Sequence, residues 1–99
     1  MKEMNCYIVS YDIMDQKRLQ KVHRTMMGFG EPLHYSVFRC HLTSKGRVKM
    51  VAALTELIKL DEDRVMIINL GPVEGRAGEE IEFIGVRPAD MGERKLIIV

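Results

Sequence analysis

The stretch Cys6-Tyr7-Ile8-Val9-Ser10-Tyr11-Asp12-Ile13 stays largely apolar until a carboxylate closes it, and a basic segment running from Asp15 to Arg24 follows at once. A strand tip holds an acid rigidly. One acid so placed can serve magnesium or manganese, because a hard cation of this kind keeps several waters and takes one or two carboxylates plus a substrate phosphate. The ion would polarise a phosphoryl oxygen and lower the pKa of a bound water toward hydroxide. Asp12 is therefore the candidate metal ligand and catalytic carboxylate, with Arg18 or Arg39 placed to offset charge developing on a phosphate. The structural alternative is an acid that merely ends the strand and braces the next helix. None of the histidines is placed as a general base. His34 and His41 read as ordinary strand residues, and His23, His34 and His41 lack the paired spacing of a zinc site.

Charge distribution points the same way. Residues 16–50 hold eight Lys/Arg against the single acid Glu31, a net +7, while residues 1–15 carry −2 and residues 51–99 carry −4. The overall charge of +1 hides this asymmetry. A compact domain with such a middle should present a positive face, the footprint expected for phosphate backbones. Lys17, Arg18, Lys21, Arg24, Arg39 and Arg47 are the candidate nucleic-acid contacts.

The elements that must position these groups follow from pattern. At 99 residues the chain is one domain, 1–99. No apolar run approaches the roughly 20 residues that cross a bilayer, and the N-terminus does not read as a signal peptide, so a cytoplasmic protein is expected. Met4 to Asp12 reads as a strand. Asp15 caps a helix to about Met27, ended by Gly28 and Gly30. In that helix Leu19, Val22, Met26 and Phe29 form the buried stripe, and Lys17, Lys21 and Arg24 form another at i, i+4, i+7. Pro32 closes a turn, and His34 to Leu42 reads as one strand, with Ser36, Phe38, Cys40 and Leu42 on one face. Thr43 or Ser44 caps a second helix through about Leu60, burying Met50, Val51, Leu54, Leu57 and Ile58, with Lys45, Arg47 and Lys49 in its first turns. Arg64 to Leu70 should be a strand buried on both faces. Gly71 to Glu80 reads as a loop, and it is not a phosphate-gripping one, since no Lys-Ser or Lys-Thr follows its glycines. Ile81 to Val86 reads as a fourth strand.

The class is α+β, a ferredoxin-like β-α-β-β-α-β plan, with a polar link from Arg87 to Lys95 and a short C-terminal strand in Leu96-Ile97-Ile98-Val99. Cys6 and Cys40 are expected as buried free thiols. Two helices cover only one face of such a sheet. Yet Cys6, Ile8 and Ser10 oppose Tyr7, Val9 and Tyr11, and Met66 and Ile68 oppose Val65 and Ile67, so both faces are largely apolar. A homodimer with two-fold symmetry is the simplest way to cover the second face. The apolar tail is expected to add to a sheet edge, the partner's included.

With these residues in view the chain resembles the CRISPR-associated protein 2 family. The resemblance rests on Tyr7-Ile8-Val9-Ser10-Tyr11-Asp12-Ile13, Lys17-Arg18-Leu19 with Lys21-Val22, Gly28-Phe29-Gly30, Tyr35-Ser36-Val37-Phe38-Arg39-Cys40, Asp63-Arg64-Val65 and Leu70-Gly71. It covers roughly residues 4–86, and Pro32-Leu33 stand where some members carry an arginine. The resemblance implies a homodimer whose sheets pack face to face, with C-terminal strands reaching across. It implies a subunit of CRISPR spacer acquisition that bridges the adaptation integrase and holds double-stranded DNA. It also implies a magnesium-dependent endonuclease acting on RNA or DNA, with Asp12 as the metal-binding acid. The competing functions are a metal-dependent endoribonuclease or DNase acting alone, and a small-ligand regulatory module on the same fold. Against the last stand the cation-rich middle and the missing anion-gripping loop.

Overall fold

The computed structural model describes residues 3–74, 81–88 and 96–97. Strand β1 (Asn5–Asp12) leads to α1 (Gln16–Met26), β2 (Glu31–His34), β3 (Val37–Leu42), α2 (Ser44–Leu57), β4 (Arg64–Pro72), β5 (Gly85–Val86) and β6 (Leu96–Ile97). The four-stranded sheet has the order β2-β3-β1-β4, every neighbouring pair antiparallel. This is the ferredoxin-like plan, but two of its strands come from places other than those expected.

The run read as one strand from His34 is a hairpin. Tyr35 and Ser36 form its turn, and β2 folds back on β3 with Glu31 opposite Arg39 and Pro32 opposite Phe38. Pro32 lies inside a strand, which a proline tolerates at a sheet edge, where its missing N–H costs no ladder bond. The register shifts between Pro32 and His34. The hairpin supplies the second strand that the plan requires between the helices. Accordingly β4, not residues 81–86, is the fourth strand of the sheet. Within 81–86, Gly85 and Val86 alone form a strand, and they pair with Leu96 and Ile97 of the same chain in a separate two-stranded sheet. Most of the expected polar link (89–95), the end of the tail (98–99) and loop residues 75–80 lie outside the described residues.

The helices form where capping and patterning place them. The Asp15 carboxylate accepts from Arg18 N at 2.9 Å, and Thr43 Oγ1 accepts from Gly46 N at 3.1 Å. Val22 and Met26 of α1 and Met50 and Leu54 of α2 are buried against Tyr7, Val9, Tyr11, Phe38, Cys40 and Leu42 of the sheet. Among the described residues Phe38 is the largest fully buried side chain. Gly30, just before β2, has no room for a side chain: a Cβ there would run into the Arg39 carbonyl oxygen and Cys40 Sγ. Cys6 and Cys40 are buried free thiols as expected, and burial pushes Cys40 up to about 11. α2 stops at Leu57, short of Leu60, because the chain from Lys59 wraps around the Asp63 carboxylate, which accepts from Lys59 N at 2.8 Å.

The sheet's second face carries Ile8 and Ser10 of β1, Val37 and Arg39 of β3, and Met66 and Ile68 of β4. Strand β4 was expected to be buried on both sides. Instead it forms the sheet edge, with Val65 and Ile67 half-buried under the helices and Met66 and Ile68 exposed at 53% and 43%. Within one chain, nothing described covers these residues. No described helix is long and apolar enough to cross a membrane.

Candidate nucleic-acid interface

Asp12 ends β1 opposite Arg64 of β4. Its side chain is 70% exposed, and the Arg64 guanidinium lies 3.9 Å away, too far for a hydrogen bond. The carboxylate is thus held on a rigid strand end while its oxygens stay available. It lines a groove of ≈ 670 Å³ between α1 and the β2–β3 hairpin, with Tyr11, Gln20, His23, Arg24 and Tyr35 among the other walls.

The six candidate cations divide into three groups. Lys17, Lys21 and Arg24 are exposed on α1 and form no ion pair with another described residue. Arg47 is also exposed, with Lys45 and Lys49, in the first turns of α2. That helix starts after Leu42, which pairs with Asn5 at the other end of β1 from Asp12. The structure therefore does not bring Arg47 to the Asp12 end. Arg18 and Arg39 belong to the third group, engaged within the chain. Arg39 lies across from Glu31 and donates from Nε at 2.6 Å.

Arg18 is clamped. Its Nε donates to Asp63 Oδ2 at 2.8 Å and its Nη2 to Asp63 Oδ1 at 3.1 Å and Glu62 Oε1 at 3.1 Å. Asp63 is the acceptor at the centre of this knot, its side chain wholly inaccessible. It also accepts from Met14 N at 3.0 Å and Lys59 N at 2.8 Å. The Arg18 hydrogen bonds hold the Asp63 carboxyl well below the usual carboxylate range. The knot ties the turn after Asp12, the first turn of α1 and the start of β4 into one unit.

Sequence reasoning left Asp63 out of the candidate residues. The signal was present: an acid in the connection between the second helix and the strand that follows it, and an arginine, Arg18, at the start of the first helix's basic run. It also left out the pair formed by Tyr11 and His23, whose Oη and Nδ1 lie 3.0 Å apart. Tyr11 Oη reaches the Tyr35 carbonyl as well, at 3.4 Å, and burial raises the phenol, keeping it protonated. The His23 ring packs edge-on against Phe38, centroids 5.4 Å apart. Position 23 lies four residues after Leu19 of the buried stripe, the spacing that turns a side chain inward.

Among the described residues no group of three or more His, Cys, Asp or Glu side chains could hold a metal. Asp12 alone offers one exposed carboxylate, which matches the part a protein plays toward a water-rich magnesium ion but does not make a closed site.

Residues 4–74 match the family model described as CRISPR associated protein Cas2. A protein of Geobacter sulfurreducens named CRISPR-associated endoribonuclease Cas2 is 48% identical over 68 residues, 69% of this chain and 72% of that protein. One of Chloroflexus aurantiacus, named CRISPR-associated endoribonuclease Cas2 1, is 35% identical over 95 residues, 94% of this chain and 98% of that one. The crystal structure of Streptococcus pyogenes Cas2 aligns with a TM-score of 0.71 at 26% identity, covering 81% of this chain and 99% of that one. A hypothetical protein of Thermus thermophilus aligns with a TM-score of 0.72 at 30% identity, covering 86% and 95%.

Proposed function

The chain belongs to the family of CRISPR associated protein Cas2, and from that premise we propose that it binds double-stranded DNA as a homodimer and serves as the non-integrase subunit of CRISPR spacer acquisition, joining copies of the adaptation integrase. The observation that carries the reading is the free cation stripe Lys17-Lys21-Arg24, exposed beside the groove that Asp12 lines. Free cations on one helix face neutralise a phosphate backbone without reading sequence. The open sheet face supports the dimer. Met66 and Ile68 expose apolar surface next to Ile8, and pairing two such faces removes it from water at about 25 cal/mol per Å².

A second reading, nuclease chemistry, is favoured by Asp12 itself and by relatives named endoribonucleases. Asp12 would hold magnesium or manganese, and the bound ion would supply Lewis acidity to a phosphoryl oxygen. A homodimer brings a second Asp12 to the assembly. The clamp around Asp63 fixes the backbone two residues beyond Asp12, so the carboxylate is aimed by the fold rather than by a partner side chain.

Filter or polarisation binding of a short duplex, with and without magnesium, tests both readings together with cleavage of RNA and DNA. The scaffold reading expects tight, sequence-indifferent binding at low salt. The nuclease reading expects magnesium-dependent cleavage that chelation stops and Asp12→Asn abolishes while duplex binding persists. Cleavage surviving in Asp12→Asn would take the chemistry away from this carboxylate.

A further inference from the structure

We propose that the groove beside Asp12 is a pocket for one unpaired nucleotide, so that the protein distinguishes a duplex with a single-stranded end from a blunt one. The inference deepens the nucleic-acid reading above and rests on it.

The groove's volume, ≈ 670 Å³, falls within the ~300–1,000 Å³ of small-molecule sites. Its lining also has their make-up, apolar walls with a few polar groups. Leu19, Met27 and the rings of Tyr11 and Tyr35 provide apolar surface. Gln16 and Gln20, one turn apart on α1, line the same wall. A glutamine amide both donates and accepts, as the edge of a base requires.

Tyr35 is the decisive residue. Its side chain is 90% exposed, unusual for an aromatic in a small domain. Its backbone is nevertheless fixed, because Tyr11 N donates to Ser36 O at 3.0 Å and Tyr11 Oη reaches Tyr35 O. The ring is further steadied by His34, edge-on at 6.0 Å. An aromatic face held out to solvent on a rigid turn is what a base stacks on, and an unpaired base has a free face to offer.

Charge selects the occupant. The lining holds one cation, Arg24, and one carboxylate, Asp12, so the groove suits a neutral base better than a phosphate. Arg24 also closes the Lys17-Lys21-Arg24 stripe and so puts the pocket beside the cations that would follow a phosphate backbone. A strand lying along α1 can therefore leave its phosphates on the stripe and turn its last base into the groove. The groove lies on the helix-bearing side of the sheet. Pairing of the open sheet faces in a dimer would leave it accessible.

The test compares fluorescence polarisation of a labelled blunt duplex with that of the same duplex carrying a short single-stranded overhang, at one salt concentration. The wild-type chain should bind the overhang form roughly 5- to 150-fold more tightly, the range expected for one stacked base. Tyr35→Ala and Gln20→Ala should erase that gain and leave blunt-duplex affinity unchanged, and Tyr35→Phe should retain it. Thermal melts of each variant, all at exposed positions, would show the fold kept. Equal wild-type affinity for the two duplexes overturns the pocket and leaves the duplex reading standing. A Tyr35→Ala loss shared equally by both duplexes also overturns it. Failure of the wild type to bind either duplex at low salt overturns the parent reading, and the pocket with it.

Discussion

Replacing Lys17, Lys21 and Arg24 together by glutamine tests the stripe on α1 quantitatively. The helix rises about 1.5 Å per residue, so the stripe from position 17 to 24 is roughly 10 Å long. One strand of B-form DNA presents a phosphate about every 3.4 Å along the axis, so the three cations face about three phosphates. Each neutralised phosphate contributes about 0.9 to the slope of log K against log salt, and the stripe accounts for about 2.7 per protomer. Raising salt from about 50 to 200 mM should then weaken the wild type by roughly 40-fold more, per protomer engaged, than the triple variant. Glutamine matches lysine and arginine in helix propensity, so the melting temperature should not move. The matched control is Arg18→Gln. Its guanidinium already serves Asp63 and Glu62, so its loss should leave the salt slope unchanged and lower the melting temperature. Salt titrations by polarisation decide the matter. A triple variant with the parental slope, or an Arg18→Gln variant that loses about one phosphate's worth of slope without losing stability, would refute the assignment of cations made here.

Two further outcomes follow from the packing. Met66→Asp would bury a charge in the open sheet face if that face is paired, and should weaken self-association by at least ~100-fold; light scattering should show a wild-type dimer at micromolar concentration and a monomeric variant, and a monomeric wild type would remove the dimer. Asp63→Asn keeps the shape of the knot but turns a donor toward donors, and should lower the melting temperature by on the order of 10 °C. Because the folded Asp63 carboxyl is held below its ordinary value, its contribution is complete above the usual carboxylate range and is lost as pH falls toward the folded value. Melting curves from neutral pH to about pH 3 should therefore fall more steeply for the wild type than for the Asn variant; parallel curves would show that Asp63 carries no such linkage.

Much of the fold was legible because periodicity and capping agree with it. Asp15 and Thr43 cap the helices they were expected to cap, and Leu19, Val22, Met26 and Phe29 face the core together. The hairpin was not legible, for a definite reason. The residues of its turn, Tyr35 and Ser36, do not interrupt the alternation that runs from His34 to Leu42, and neither is a glycine or asparagine that would announce a two-residue turn. What holds the turn is tertiary, the hydrogen bonds from Tyr11 N and Oη. Pro32 pulled the reading the same way, since a proline reads as loop until the sheet order shows that its strand is an edge. Strand β4 was misjudged for the complementary reason. Alternation cannot tell an apolar face that is covered within the chain from one that awaits a second copy.

The same ambiguity governs the site. In the sequence, Arg18 stands among Lys17, Lys21 and Arg24 as one cation of four. Rotation about the helix separates it from them. It turns toward the α2–β4 connection and meets Asp63, while Arg24 lines the groove and Lys17 and Lys21 stay exposed and unpaired among the described residues. A count of charges measures the attraction a segment can exert on a polyanion, but only the three-dimensional pairing shows how much of that charge is already neutralised at home. Here the arithmetic changes twice over. Removing Arg18 and Arg39, which engage Asp63 and Glu31, lowers the charge available to a partner, and it divides what remains between Lys17, Lys21 and Arg24 on α1 and Lys45, Arg47 and Lys49 on α2. A clamp that spends one arginine to fix the backbone beside Asp12 also fixes the start of the helix that carries the free cations. The carboxylate and the cation stripe are thereby held in one frame, as any chemistry at Asp12 on a strand lying along α1 would require.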